Sequence, residues 1–222
     1  MTTGGPQPRA IVADDHPIVR MAMKQLLEAL PDGITVGASV ASGRELLDAL
    51  ENSPVDLIVT DFSMQQDRPD EDGLRLVARL RRLYPATPVV VFTMVTNGAI
   101  LHQLCLLGAA GVAGKGEDLA VLGQVCRRVL GGEAAPVLSP GVAQRLADAA
   151  GAPAASGPSS TLTPKEIEVV RLFAGGASLT DIAQQLHRSL TTVATQKRSA
   201  MRKLRVGSNA DLVAYARERG LA

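Results

Sequence analysis

The sequence predicts an α/β domain, a doubly wound parallel sheet of (βα)5 pattern, followed by a small all-α domain. Three observations carry that reading. Through residues 1–148, five short β-branched runs alternate with stretches of helical spacing. At 149–160 the segment AAGAPAASGPSS holds no charge and no large side chain. That composition makes a flexible linker with a reach of about 20 Å. From 161 to 222 the pattern is helical, with capping residues ahead of short apolar stretches.

The strands follow in order: AIVA (10–13), TVGASV (35–40), LIVT (57–60), VVVFT (89–93) and GVAG (111–114). Between the first two, Val19, Met23, Leu26, Leu27 and Leu30 share one side of a helix. Runs that are apolar throughout predict strands covered on both faces, joined by right-handed crossovers. Such a fold gathers its functional loops at the C-terminal edge of the strands.

Composition narrows the class. The chain has 222 residues, 46% apolar side chains and a net charge of +1, values ordinary for a soluble globular protein. No apolar run reaches the roughly 18 to 20 residues of a membrane span, and MTTGGPQPR lacks the apolar core of a signal peptide. A cytoplasmic protein without a membrane partner is expected. Cys105 and Cys126 share no metal-like spacing with His16, His102 or His187. The near-neutral total hides an asymmetry. Before the end of the linker 13 Lys and Arg stand against 17 Asp and Glu, a balance of −4; after it 10 stand against 5, a balance of +5. A basic C-terminal unit points towards nucleic-acid phosphates.

The strand ends carry the chemistry. Asp14 and Asp15 follow the first strand, Asp61 the third and Lys115 the fifth, while Thr93 closes the fourth. Three carboxylates crowded at one edge repel unless a hard divalent cation such as Mg2+ neutralises them. A carboxylate beside that cation, facing an ammonium and a hydroxyl, suits a transferring phosphoryl group, with Asp61 as the nucleophile.

The stretches ADDHPIVR, VTDFSM, VFTM and the lysine of GVAGK resemble the receiver domain of bacterial response regulators. The resemblance covers the whole N-terminal domain. It implies that Asp61 accepts a phosphoryl group from a histidine kinase or phosphotransfer partner. It also implies that Asp15, Asp61 and the carbonyl of Ser63 contact Mg2+ directly, that Asp14 acts through water, and that Thr93 and Lys115 hold the phosphoryl oxygens. The chain departs from the pattern at three places. Met64 is followed by Gln65 rather than proline, opening a long acidic loop, QQDRPDED; Val112 replaces the switch aromatic three residues before the lysine; and Gly116 and Glu117 follow the lysine without the usual proline. Rearranged loops or a shifted monomer–dimer balance are the expected responses in place of the aromatic switch.

In the C-terminal part, Thr163 caps a first helix with Pro164 at its first position and Glu166 three residues after the cap; Gly175 and Gly176 end it. Ile167, Val170, Leu172 and Phe173 give it an apolar side. A second helix runs about 180–186 with Ile182, Ala183 and Leu186 inward, then a three-residue turn, HRS. Ser189 caps a third helix reaching Leu204, and Asn209 caps a last one carrying Leu212, Val213 and Tyr215. Two helices joined by so short a turn predict a helix-turn-helix with its second helix in the major groove. On that helix Leu190, Val193, Ala200 and Leu204 gather on one side, and Thr195, Arg198, Arg202 and Arg205 on the other. The second face is the expected reader of bases and phosphates. Lys197 projects near the apolar stripe and is expected to snorkel or to meet an acid.

From LTPKEIEVVRLFAGG through IAQQL to TVATQKRSAMRKL the segment resembles the helix-turn-helix domain of the LuxR/NarL/FixJ group. The resemblance implies base contacts from Ala194, Thr195 and Arg198; Arg202 and Arg205 of the basic face, with Lys197, are the further DNA contacts expected. Ala194 stands where lysine is common and Gln196 where histidine is, which shifts the expected operator. ADDHPIV, the DFSM loop and TQKRSAMRKL are most similar to the RcsB-like subgroup, implying homodimers on two-half-site operators, heterodimers with an auxiliary regulator, and RNA polymerase as a further partner. The expected function is transcription regulation by a non-enzymatic, phosphorylation-responsive DNA-binding protein. One alternative is a regulator set by dimerisation or auxiliary partners instead of Asp61 phosphorylation. The other is a Mg2+-dependent phosphatase, whose nucleophile commonly lies in a DxD arrangement that DDH does not provide.

Overall fold

The computed structural model describes residues 7–31, 33–64, 73–134, 136–151, 162–204, 206, 208–218 and 221. The acidic loop 65–72, residues 152–161 of the linker region and Arg205 lie outside the described residues. The chain falls into two compact units, Met1–Thr93 with Leu104–Val142, and Met94–Gln103 with Ala143–Ala222.

A parallel sheet builds the first unit. Its strands are β1 (Arg9–Ala13), β2 (Thr35–Val40), β3 (Leu57–Asp61), β4 (Val89–Thr93), β5 (Gly111–Gly114) and β6 (Val137–Leu138), in the spatial order β2-β1-β3-β4-β5-β6. The five expected strands are all present. Their helices are α1 (Pro17–Glu28), α2 (Gly43–Asn52), α3 (Gly73–Leu83), α4 (Gly98–Leu106) and α5 (Leu119–Leu130). Strand alternation sends Ala10, Val12, Val59, Phe92 and Ala113 into one core cluster with Met23 and Leu27 of α1 and Leu122, Val125 and Cys126 of α5. The intervening Ile11, Ile58, Val91 and Val112 are buried on the opposite face, which explains why these strands read as continuous apolar runs.

β6 and the helix after it, α6 (Pro140–Gly151), were not expected. Two residues carry no periodicity, so β6 is invisible until β5 offers it an edge. There Val112 stands opposite Leu138, and Val137 donates its N–H to the carbonyl of Ala110 at 2.9 Å. α6 reaches Gly151, three residues into the segment read as linker.

The last four helices are α7 (Pro164–Ala174), α8 (Leu179–Gln185), α9 (Leu190–Leu204) and α10 (Asn209–Glu218). α7 starts on the expected capping box, Thr163 with Glu166, and ends at Gly175, with Gly176 at φ +97°. α8 has a capping box of its own, Ser178 with Asp181, beginning it one residue earlier than expected. α10 corrects the reading that Asn209 caps it. The Ser208 hydroxyl accepts from the Asp211 N–H at 3.1 Å while the Asp211 carboxylate accepts from the Ser208 N–H at 3.0 Å, so Asn209 is the first helical residue. Asn and Ser are near-equal caps; the acid three residues after Ser208 decides between them. Val169, Ile182, Ala183, Leu186 and Val193 form the small core that α7, α8 and α9 share.

Candidate phosphoacceptor site and nucleic-acid interface

β1 and β3 lie side by side, with Ala13 opposite Thr60, so the carboxylates that follow them emerge at one sheet edge. Asp14 is fully buried and held on three sides. Its N–H donates to the Val40 carbonyl at 3.1 Å, its Oδ1 accepts from the His16 N–H at 2.9 Å, and its carbonyl accepts from Arg20 Nη1 at 2.6 Å. Asp15 is more exposed, and its Oδ1 lies 2.7 Å from His16 Nδ1. Asp61 ends β3; its Oδ1 accepts from the Phe62 N–H at 2.6 Å.

Lys115 joins these carboxylates. It leaves β5 with its N–H bonded to the Thr93 carbonyl at 2.8 Å, and its Nζ lies 2.6 Å from both Asp61 Oδ2 and Asp14 Oδ2. Thr93 is buried at the adjoining strand end. Burial pushes the Asp61 carboxyl up to about 6; the Lys115 ammonium pulls it down but does not cancel that cost, and the Asp14 charge adds to it. Burial also pulls Lys115 down, but the two carboxylates outweigh it and raise the ammonium above its ordinary value.

The expected residues thus separate into two groups. Asp14, Asp61 and Lys115 form one bonded cluster with Thr93 at its border, while Asp14, Asp15 and His16 have ligand atoms mutually within 4.8 Å. Ser63 is half-buried two residues beyond Asp61. Carboxylate oxygens around one lysine are hard donors, and they fit Mg2+ in preference to a softer metal. Sequence reasoning passed over His16 and Arg20. Their signal was in ADDHPIVR itself, at the start and the first turn of the helix that follows the acids.

The second site is the outer face of α9. Ser189 caps it, its hydroxyl accepting from the Thr192 N–H at 3.1 Å, and the preceding turn passes through His187 at φ +50°. Val193 and Ala200 are buried, whereas Thr195, Arg198 and Arg202 are exposed. Leu190, expected on the apolar side, is half exposed at the end of the helix. Ala194 is half-buried, and Gln196 accepts from Arg188 Nη1 at 3.0 Å. Among the described residues no acid meets Lys197. Its Nζ lies 4.0 Å from the Phe173 ring centroid and bonds Asn209 Oδ1 at 2.6 Å, so a cation–π contact takes the place of the expected carboxylate. Burial lowers its pKa from the ordinary lysine value.

Residues 10–127 match the family described as response regulator receiver domain, and residues 160–216 match bacterial regulatory proteins of the luxR family. The transcriptional regulatory protein RcsB of Escherichia coli K12 is 33% identical over 205 residues, 92% of each chain. Among solved structures, RcsB of Salmonella enterica serovar Typhimurium bound to promoter rprA with the phosphomimetic BeF3− is 31% identical, with a TM-score of 0.79 over 94% of this chain and 98% of that one. A structure of two RcsB dimers bound to two parallel DNAs is 31% identical, with a TM-score of 0.61 over 95% of this chain and 98% of that one. With the buried aspartate–lysine edge and the exposed basic helix face in place, the two family matches and the relatives that cover more than nine-tenths of the chain establish that it belongs to the LuxR-family response regulators, of the RcsB-like kind.

Proposed function

We propose that the chain is a cytoplasmic transcription regulator in which phosphorylation of Asp61 controls dimerisation and operator binding. The observation that carries this reading is the pair of 2.6 Å contacts from Lys115 Nζ to Asp14 and Asp61. One ammonium serves two buried carboxylates, so the cluster holds an excess negative charge next to a reactive oxygen. Asp61, near 6, is ionised at neutral pH yet poorly solvated. It is therefore a better nucleophile than a surface carboxylate when a phosphohistidine of a histidine kinase or phosphotransfer partner presents its phosphorus. Asp61 would form the new P–O bond as the histidine nitrogen leaves.

Asp15, Asp61 and the Ser63 carbonyl would hold Mg2+, with Asp14 behind them. When bound, the cation supplies charge neutralisation for the phosphoryl oxygens. Lys115 keeps its place opposite and exchanges its bond to the free carboxylate for one to a phosphoryl oxygen, and the Thr93 hydroxyl donates to another. None of these residues turns over a substrate; the phosphorylated state is itself the product. Among the described residues no helix is long and apolar enough to cross a membrane.

On the DNA side, Thr195 and Arg198 of α9 reach base edges, Arg202 meets phosphate, and Ala194 leaves room for a thymine methyl. Arg205 extends the same face by its position in the sequence. A structure of RcsB dimers bound to DNA supports a dimer here as well, and a two-fold dimer would take paired half-sites. The second reading, control by dimerisation or an auxiliary regulator, draws on Val112. It is fully buried between β4 and β6, where a swinging aromatic would be needed for the usual switch. One experiment separates them: selection of binding sites from random DNA with and without beryllofluoride and Mg2+. Tighter or altered selection with the mimic supports phosphorylation control; identical selection in both arms supports the second reading.

A further inference from the structure

The turn that carries Lys115 is anchored to α6 by one side chain. The Glu117 carboxylate is split between three donors, one in β5, one in α6 and one in the link between β6 and α6. Oε1 accepts from the Gly141 N–H in the first turn of α6 at 2.8 Å; Oε2 accepts from the Ser139 hydroxyl and from the Gly114 N–H of β5 at 3.3 Å. Ser139 is fully buried, and its N–H donates to the Val112 carbonyl at 3.0 Å. The Glu117 N–H closes the turn onto the Gly114 carbonyl at 3.1 Å. The approach requires glycine at the helix start, since a Cβ on Gly141 would stand 2.8 Å from Glu117 Cδ.

The first turn of a helix leaves amides unsatisfied, and a carboxylate there is favoured by the helix dipole. Such a bond is ordinarily made by the residue ahead of the helix. Here Ser139 turns its hydroxyl to Glu117 instead, and the acid comes from the neighbouring turn. Glu117 is also one of the departures from the receiver pattern, and the Ser139 it bonds is in turn bonded to another, Val112, whose strand carries β6.

We propose that Glu117 is a positioning residue that transmits a change in the contacts of Lys115 to the first turn of α6, in place of the missing aromatic switch. The inference rests on the reading of Lys115 as a contact of the phosphoryl group. Movement of the ammonium shifts the turn 114–117, and the bidentate carboxylate carries that shift to Ser139 and Gly141. α6 then leads the chain towards the linker, so loosening or tightening its first turn alters where the linker begins.

The test is a mutant cycle on the full chain, read by amide hydrogen exchange at Gly141 and Val142. Glu117→Ala should speed exchange there about tenfold, the loss of one charged hydrogen bond. Lys115→Ala should change exchange severalfold in the wild-type background and add nothing once Glu117 is alanine, the signature of coupling through that side chain. Glu117→Gln keeps an acceptor for the Gly141 amide and should retain part of the Lys115 response, which also covers the case in which the alanine variant does not fold. An equal Lys115 effect with and without Glu117, or no Lys115 effect at all, overturns the proposal. The cycle needs no phosphorylation. Failure of phosphodonor to label Asp61 would remove the message while leaving this coupling intact, and the two failures are therefore distinguishable.

Discussion

Each unit of this protein contains a nearly buried carboxylate bonded to a lysine, and the two pairs are built for opposite ends. In the sheet unit Asp61 lies 2.6 Å from Lys115, and in the helical unit Glu166 lies 2.8 Å from Lys203. Burial raises both acids. At Glu166 the Lys203 ammonium, the Thr163 N–H and the hydroxyls of Ser199 and Thr163 reverse that cost and hold the carboxyl at about 2. At Asp61 the lysine is divided with Asp14, and the carboxyl stays near 6. The difference lies in how many donors each acid owns. A fully satisfied carboxylate ties α7 to α9, whereas an under-satisfied one suits the acceptor role proposed for Asp61.

Neutralising each acid in turn separates the two pairs most strongly. Asp61→Asn should abolish label from a phosphodonor completely, and Glu166→Gln should leave Asp61 labelling intact, both checked by mass spectrometry. Removing the lysines comes next. Lys203→Ala strands a satisfied buried acid and should cost the helical unit about 3 kcal/mol in urea unfolding. A loss under about 1 kcal/mol would mean that its hydrogen bonds alone hold Glu166.

Acid titration distinguishes the pairs by sign. Asp61 is raised in the folded state, so folding takes up a proton. Its contribution is most favourable below about 4 and is lost as pH rises towards 6. Glu166 is lowered, so its contribution is full above about 4.5 and is lost as pH falls towards 2. Without added divalent cation, Asp61→Asn should flatten the stability profile of the sheet unit between pH 4 and 6, and Glu166→Gln that of the helical unit below 4.5. Arg198 is an exposed basic group with no acid partner among the described residues. Arg198→Ala should change stability by less than about 0.5 kcal/mol, yet cost about 1 to 3 kcal/mol at one base position of the operator. Uniform loss across all sequences would reassign Arg198 to phosphate.

Much of both sites was legible in the chain because the residues involved are punctuated by strand ends. DDH after AIVA, D after LIVT and K after GVAG each mark where an apolar run stops, and parallel strands bring such stops to one edge. The capping box of α7 was legible for a similar reason, because Thr163 and Glu166 meet at their own helix start. What escaped were contacts between residues distant in sequence. Lys197 offered no sign of Phe173, since its position near the apolar stripe implied an acid or solvent. Glu117 gave no sign of Gly141, since neither a strand nor a helix was expected between residue 134 and the linker.

Sequence alone determined the first five strands, the helix α9 with its basic face and the candidate acceptor aspartate, because each depends on local periodicity or on a residue's place at the end of an element. Only tertiary structure decided how charge is shared among them. Whether a buried carboxylate is reactive or inert depends on the donors that other elements bring to it, and those donors come from 54 residues away for Asp61 and 37 for Glu166.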